Sequence, residues 1–199
     1  MFRYKIVSTM VFSMLLSNSL VTLAASFDKG FRAYHSSDYE TAFIEWIQLA
    51  EQGHPDAQYN LGVMYYIGKG VTRDYKKVVK WYTKAAEHGH AAAQLNLGIM
   101  YQHGDGVLEN DKVAVKWYTK VAAQGNAMAQ TNLGFMHENG EGVLIDHLRA
   151  YMWYNLGAVN GDELGAKNKI KIAKKITSTQ IAKAQEMSRR CLGSGYTDC

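Results

Sequence analysis

AQYNLGVMYYIGKGVTRDYKKVVKWYTKAAEHGH, Ala57 to His90, decides the fold, because the chain repeats it. Leu61-Gly62 returns at Leu97-Gly98 and again at Leu133-Gly134, each 36 residues on. Ala57, Gln58, Asn60 and Met64 keep the same interval, through Ala93, Gln94, Asn96 and Met100 to Ala129, Gln130, Asn132 and Met136. Trp81-Tyr82 recurs as Trp117-Tyr118 and Trp153-Tyr154. A fixed period of this size marks one supersecondary unit stacked on copies of itself.

The unit reads as helix, loop, helix. Ala57, Leu61, Met64 and Tyr65 share one helical face. Gly68-x-Gly70 ends that helix, since glycine reaches left-handed conformations without penalty. Asp74, Asn110 and Asp146 are N-cap residues for a second helix. Its stripe is Val78, Trp81, Tyr82, Ala85 and Ala86, and Gly89 stops it. Gly62 inside the first helix costs about 1 kcal/mol against Ala, so its recurrence implies close approach of a neighbouring backbone. The three tryptophans read as core.

The flanks carry weaker versions of the plan. Phe27, Phe31 and Tyr34 start a short helix, and Asp38 to Gly53 is in register with a second one. Glu163–Lys175 and Ser178–Cys191 form a last helix pair, with Thr177-Ser178-Thr179-Gln180 as a capping box. The expected fold class is all-α, an α/α solenoid of about five antiparallel helix pairs. Residues 26–56 cap one end, three repeats fill 57–92, 93–128 and 129–162, and residues 163–199 cap the other end. Residues 1–25 read as a cleaved export leader: Arg3 and Lys5, an apolar run broken by serines, then Ala24 and Ala25. The expected destination is periplasmic or secreted.

Charge excludes little but points away from nucleic acid. The formal net charge is +4, and Arg3 and Lys5 would leave with the leader. Basic residues concentrate between Lys167 and Arg190, where Glu186 is the lone acid. Cys191 and Cys199 are the two cysteines, and the glycines between them permit a closing disulfide.

The words from Ala57 to His90 and Ala93 to Asn126, and more loosely Ala129 to Asp162, resemble the Sel1-like repeat. That resemblance implies a tetratricopeptide-related solenoid acting mainly as a scaffold for protein–protein contact, with no cofactor. Carrying over the tetratricopeptide geometry, first helices line a concave groove at Tyr59, Val63, Tyr66 and Ile67, then Leu95, Ile99, Gln102 and His103, then Thr131, Phe135, Glu138 and Asn139. Val63, Ile99 and Phe135 would make an apolar strip, bordered by Tyr66, Gln102 and Glu138. Such a strip suits a protein or peptide partner. The alternative is an envelope or virulence-associated factor that meets a host or anionic surface through its basic C-terminal helices.

A more remote alternative is β-lactam binding or hydrolysis, linked to some cysteine-rich members of that family. Ser26-x-x-Lys29 matches one four-residue pattern, but Lys-Thr-Gly and Ser-Asp-Asn partners are missing and the repeats hold no cysteine. The seven histidines are scattered and complete no zinc set. His137 replaces the tyrosine of the earlier copies and reads as a half-buried, hydrogen-bonded side chain.

Overall fold

The computed structural model describes residues 25–199; nearly all of the expected leader lies outside them. Ten helices follow one another among the described residues, with no strand. They are α1 (Phe27–His35), α2 (Tyr39–Glu51), α3 (Pro55–Ile67), α4 (Tyr75–Glu87), α5 (Ala91–His103), α6 (Asp111–Ala122), α7 (Ala127–Asn139), α8 (His147–Val159), α9 (Glu163–Ala173) and α10 (Ser178–Gly193). Each helix from α1 to α8 packs on its successor, the arrangement of an α/α solenoid. The last two helices behave differently. Both α9 and α10 rest on α8, sharing with it a small apolar cluster of Ala150, Tyr151, Tyr154, Ile172 and Ala184.

Caps recur with the repeat. Asp74, Asn110 and Asp146 accept the backbone N–H groups of Lys77, Val113 and Arg149 at 3.1, 3.1 and 2.9 Å. Thr177 and Gln180 close a reciprocal capping box on α10. The first helices begin two residues before the boundaries read from sequence, because His54, His90 and Asn126 are their caps. His54 and His90 accept through Nδ1, an unusual use of histidine that a Ser/Thr/Asp/Asn rule does not find.

Units are joined by two devices. Buried Gln58, Gln94 and Gln130 donate to the Ala50, Ala86 and Ala122 carbonyls at 3.0, 2.9 and 3.2 Å, satisfying the C-terminal end of the preceding helix. The second glycine of each loop rests on the first residue of an earlier helix: Gly70 on Tyr39, Gly106 on Tyr75 and Gly142 on Asp111. A Cβ at Gly106 would fall 2.5 Å from the Tyr75 carbonyl oxygen, and φ is +72° there, so only glycine fits.

The Leu-Gly glycines have a different reason from the one expected. They admit an aromatic ring, not a backbone. A Cβ on Gly98 would strike the Tyr118 ring, and Gly62 and Gly134 face Tyr82 and Tyr154 in the same way. Tyr118 and Tyr154 are fully buried and Tyr82 nearly so. Trp81 and Trp153 are core as expected, whereas Trp117 is only half-buried, with Lys120 Nζ 4.6 Å above its ring. Cys191 and Cys199 are joined as a disulfide, which folds the tail back over α8.

Candidate functional site

The candidate site is the face made by α3, α5 and α7. Register alone places its residues, and the structure sorts them. Tyr59 and Val63 are half-buried, Tyr66 and Ile67 exposed. With Tyr82, Asn96 and Ile99, the first three of these line a cleft of about 290 Å³ rimmed by Asp105. Tyr59 is held between rings: its centroid lies 5.4 Å from Tyr82 and 4.4 Å from His90, both stacked. Tyr66 meets Tyr75 edge-on at 5.7 Å. Val63 also lines a second, smaller cleft with Phe31, Tyr34, Trp46 and Asn60. The two clefts meet at Val63, so aromatic and aliphatic lining runs from the N-terminal cap to Ile99 on α5.

Three predicted groove residues are not groove surface. Leu95 is buried and packs in the cluster around α6 and α7. Thr131 is buried because Gly157 of α8 and Gly165 of α9 bring those helices onto it. Its Oγ1 finds no hydrogen-bond partner. Glu138 is buried too: Oε2 accepts the Tyr154 hydroxyl at 2.8 Å, and Lys175 Nζ binds Oε1 at 2.8 Å. Burial alone would raise this carboxyl, but the hydrogen bonds from Lys175 and Tyr154 prevail and hold it below the usual carboxylate range.

The expected strip is divided as well. Val63 and Ile99 share the first cleft, while Phe135 lines a separate depression with Gln102, His103, Glu109, Asp111 and Glu141. Gln102 is tied down: its oxygen accepts the Tyr118 hydroxyl at 2.8 Å and its amide donates to Glu141 at 3.1 Å. His103 and Asn139 stay exposed at the helix ends. One signal could have separated the two sets. Positions 66, 102 and 138 each precede the unit's buried tyrosine by 16 residues, so a Gln or Glu there has a hydroxyl to bind.

Among the described residues no cluster of three His, Cys, Asp or Glu side chains could hold a metal ion. Ser26 Oγ accepts the Lys29 backbone N–H as a helix cap, and Lys29 Nζ binds Glu45 at 2.5 Å, so Ser26 and Lys29 do not form a nucleophile–base pair. His137 is half-buried, and burial with the Arg149 charge pushes its pKa down. Its Nδ1 is buried without a partner, where Tyr65 and Tyr101 fill the same position in earlier units.

The Sel1 repeat family model matches residues 55–90, 91–126 and 127–162. The chain belongs to the Sel1 repeat family. The matched residues make up more than half of the sequence. A Sel1 repeat protein from Oxalobacter formigenes superposes with a TM-score of 0.68 at 30% identity, over 85% of this chain and 78% of that one. A protective antigen present in uropathogenic Escherichia coli strains, with the same fold, matches at TM-score 0.53 and 26% identity, over 85% of this chain and 46% of that chain. Helicobacter pylori cysteine rich protein B shares the fold at TM-score 0.51 and 18% identity, over 65% of this chain and 96% of that chain. No curated protein matches the sequence.

Proposed function

We propose that this Sel1 repeat chain is an exported scaffold that holds an extended protein segment along the α3–α5 face. Sel1 repeat proteins are generally scaffolds for protein–protein contact without enzymatic activity. The observation that carries the reading is the cleft between Tyr59, Val63, Tyr66 and Ile99, lined mainly by aromatic and aliphatic side chains with Asn96 and Asp105 as its polar members. Large aromatic side chains beside a few polar groups suit peptide recognition. The α7 stretch of the face contributes less, since α9 covers Thr131 and Lys175 of the α9–α10 turn seals Glu138.

Export is part of the same proposal. It is supported by the leader-like residues 1–25 and by a disulfide that persists only where thiols are oxidised. The alternative surface contact through the basic C-terminal helices has less support. Lys175 pairs with Glu138, Arg189 with Glu186 and Arg190 with Asp198, so part of the positive run is already committed.

Val63→Glu with Ile99→Glu tests the groove. Tagged parent and variant proteins are exported from the source cells and cross-linked in place, and the bound proteins are compared by mass spectrometry. The variant should lose the partners the parent retains, with an unchanged circular dichroism spectrum. An identical bound set from a folded variant refutes the assignment.

A further inference from the structure

Glu45 breaks the repeat. It stands 36 residues before Trp81, at the position filled by tryptophan in all three full units, while its neighbour Trp46 keeps the place of Tyr82. Yet Glu45 is buried, at 7% exposure. An unpaired carboxylate there would cost more than the apolar side chain it replaces. Its two oxygens are accounted for. Lys29 Nζ binds Oε1 at 2.5 Å, and the main-chain nitrogen of Ser26 donates to Oε2 at 2.8 Å. Lys29 is half exposed, so water screens much of its charge. The Ser26 nitrogen is thus half of the immediate answer to a buried negative charge.

Ser26 also follows directly on the small pair Ala24-Ala25 that ends the leader-like segment. We propose that an export peptidase hydrolyses the Ala25–Ser26 bond and that the α-ammonium group released on Ser26 docks on Glu45, locking α1 onto α2 in the mature protein. Water supplies the oxygen that makes Ala25 a carboxylate; the amide nitrogen leaves with Ser26 and takes up protons.

The change at Ser26 is from a neutral N–H donor to a cation. An α-amine is ordinarily half protonated near pH 7.7–8.0. Either donor makes a charge-assisted bond to the carboxylate, but only the ammonium also sets a full opposite charge beside it. A cation at a helix N-terminus is otherwise unfavourable, because the helix dipole points its positive end there. Glu45 offsets that penalty. From Ser26 onward the α1 entrance is fastened by other contacts that cleavage at this bond would leave in place. Ser26 Oγ caps the Lys29 N–H, Trp46 Nε1 donates to the Phe27 carbonyl, and the Phe27 ring stacks on His54 at 5.2 Å. Cleavage one bond earlier, after Ala24, would leave Ser26 an amide and place the charge one residue away. The inference rests on the export reading and not on the groove.

Two measurements test it. Mass spectrometry of the exported protein should find Ser26 as the first residue; a chain beginning at Ala25 or elsewhere overturns the proposal. Mature protein starting at Ser26 is then compared with the same protein carrying a Gly-Ser extension before Ser26. The extension should lower Tm by roughly 2–4 °C in the parent and leave it unchanged in Glu45→Gln. Equal losses in both, or none in the parent, count against it. Should Glu45→Gln not fold, acylation of the parent's α-amine at pH 7 decides. A docked ammonium labels at least ~10-fold more slowly than a free one, since a one-unit rise in pKa cuts the reactive base tenfold. Labelling at the free rate overturns the docking.

Discussion

Gly98→Ala sets two effects of known size against each other. By helix propensity alone it should stabilise α5 by about 1 kcal/mol. The packing opposes this. The new Cβ would lie 2.6 Å from Cδ1 of Tyr118 and closer still to Cε1, distances that real side chains do not show. The ring has nowhere to go: Tyr118 is fully buried, and its hydroxyl is held by Gln102 at 2.8 Å. Overpacking costs about 1–3 kcal/mol, occasionally more, and a clash with an anchored ring belongs at the upper end. Subtracting the propensity gain leaves a net loss of about 2 kcal/mol, or roughly 4–8 °C in Tm for a domain of this size. The assay is urea and thermal unfolding followed by circular dichroism, on Gly98→Ala, Tyr118→Ala and the double variant. In the Tyr118→Ala background the alanine meets empty space, so its cost should vanish or reverse. Gly193→Ala at the end of α10, where a Cβ meets nothing within 4 Å, is the control and should not destabilise. A Gly98→Ala protein as stable as its parent, or one that loses as much with Tyr118 gone, would refute the ring-accommodation argument.

Three further outcomes follow from the same packing. Lys175→Met leaves buried Glu138 with Tyr154 as its remaining partner and should cost about 1–2 kcal/mol at pH 7 in urea unfolding. Because the folded pKa of Glu138 is depressed, its contribution is present above the unfolded value near 4.3 and lost as pH falls through the folded one. The gap between Lys175→Met and parent should therefore narrow in acid. His137→Tyr restores the ring found at Tyr65 and Tyr101 and removes an unpartnered buried nitrogen; it should gain about 1 kcal/mol. The depressed pKa of His137 means the parent loses stability as pH drops below about 6.5, and a Tm series from pH 7.5 to 5 should show the variant losing less. Reduction of Cys191–Cys199 should cost about 2–3 kcal/mol on loop-closure grounds, with hydrogen exchange rising first in the last turn of α10 and the tail.

Much of the molecule was legible because the repeat prints the same constraint three times. Helix order, the Asp74, Asn110 and Asp146 caps and the Thr177 capping box all follow from local chemistry that needs no partner from elsewhere in the chain. That Tyr59, Val63, Tyr66 and Ile99 lie on one face was readable for a related reason: register fixes which face of each first helix a position occupies. Leu95 of the second unit turns into the cluster around α6 and α7, a packing choice that register does not show; Thr131 and Glu138 are buried for another reason. The third unit is not equivalent, since α9 and the turn before α10 close over it.

The sequence by itself determined the periodic skeleton, because propensity, capping and apolar spacing act within a few residues of one another. Tertiary structure alone decided the rest: that the Leu-Gly glycines admit tyrosine rings, that Gln58, Gln94 and Gln130 satisfy a preceding helix end, and that Glu45 faces Ser26. Each of these joins residues on different helices. Their meeting is set by how helices cross and how closely they approach, and a one-dimensional pattern does not encode that distance.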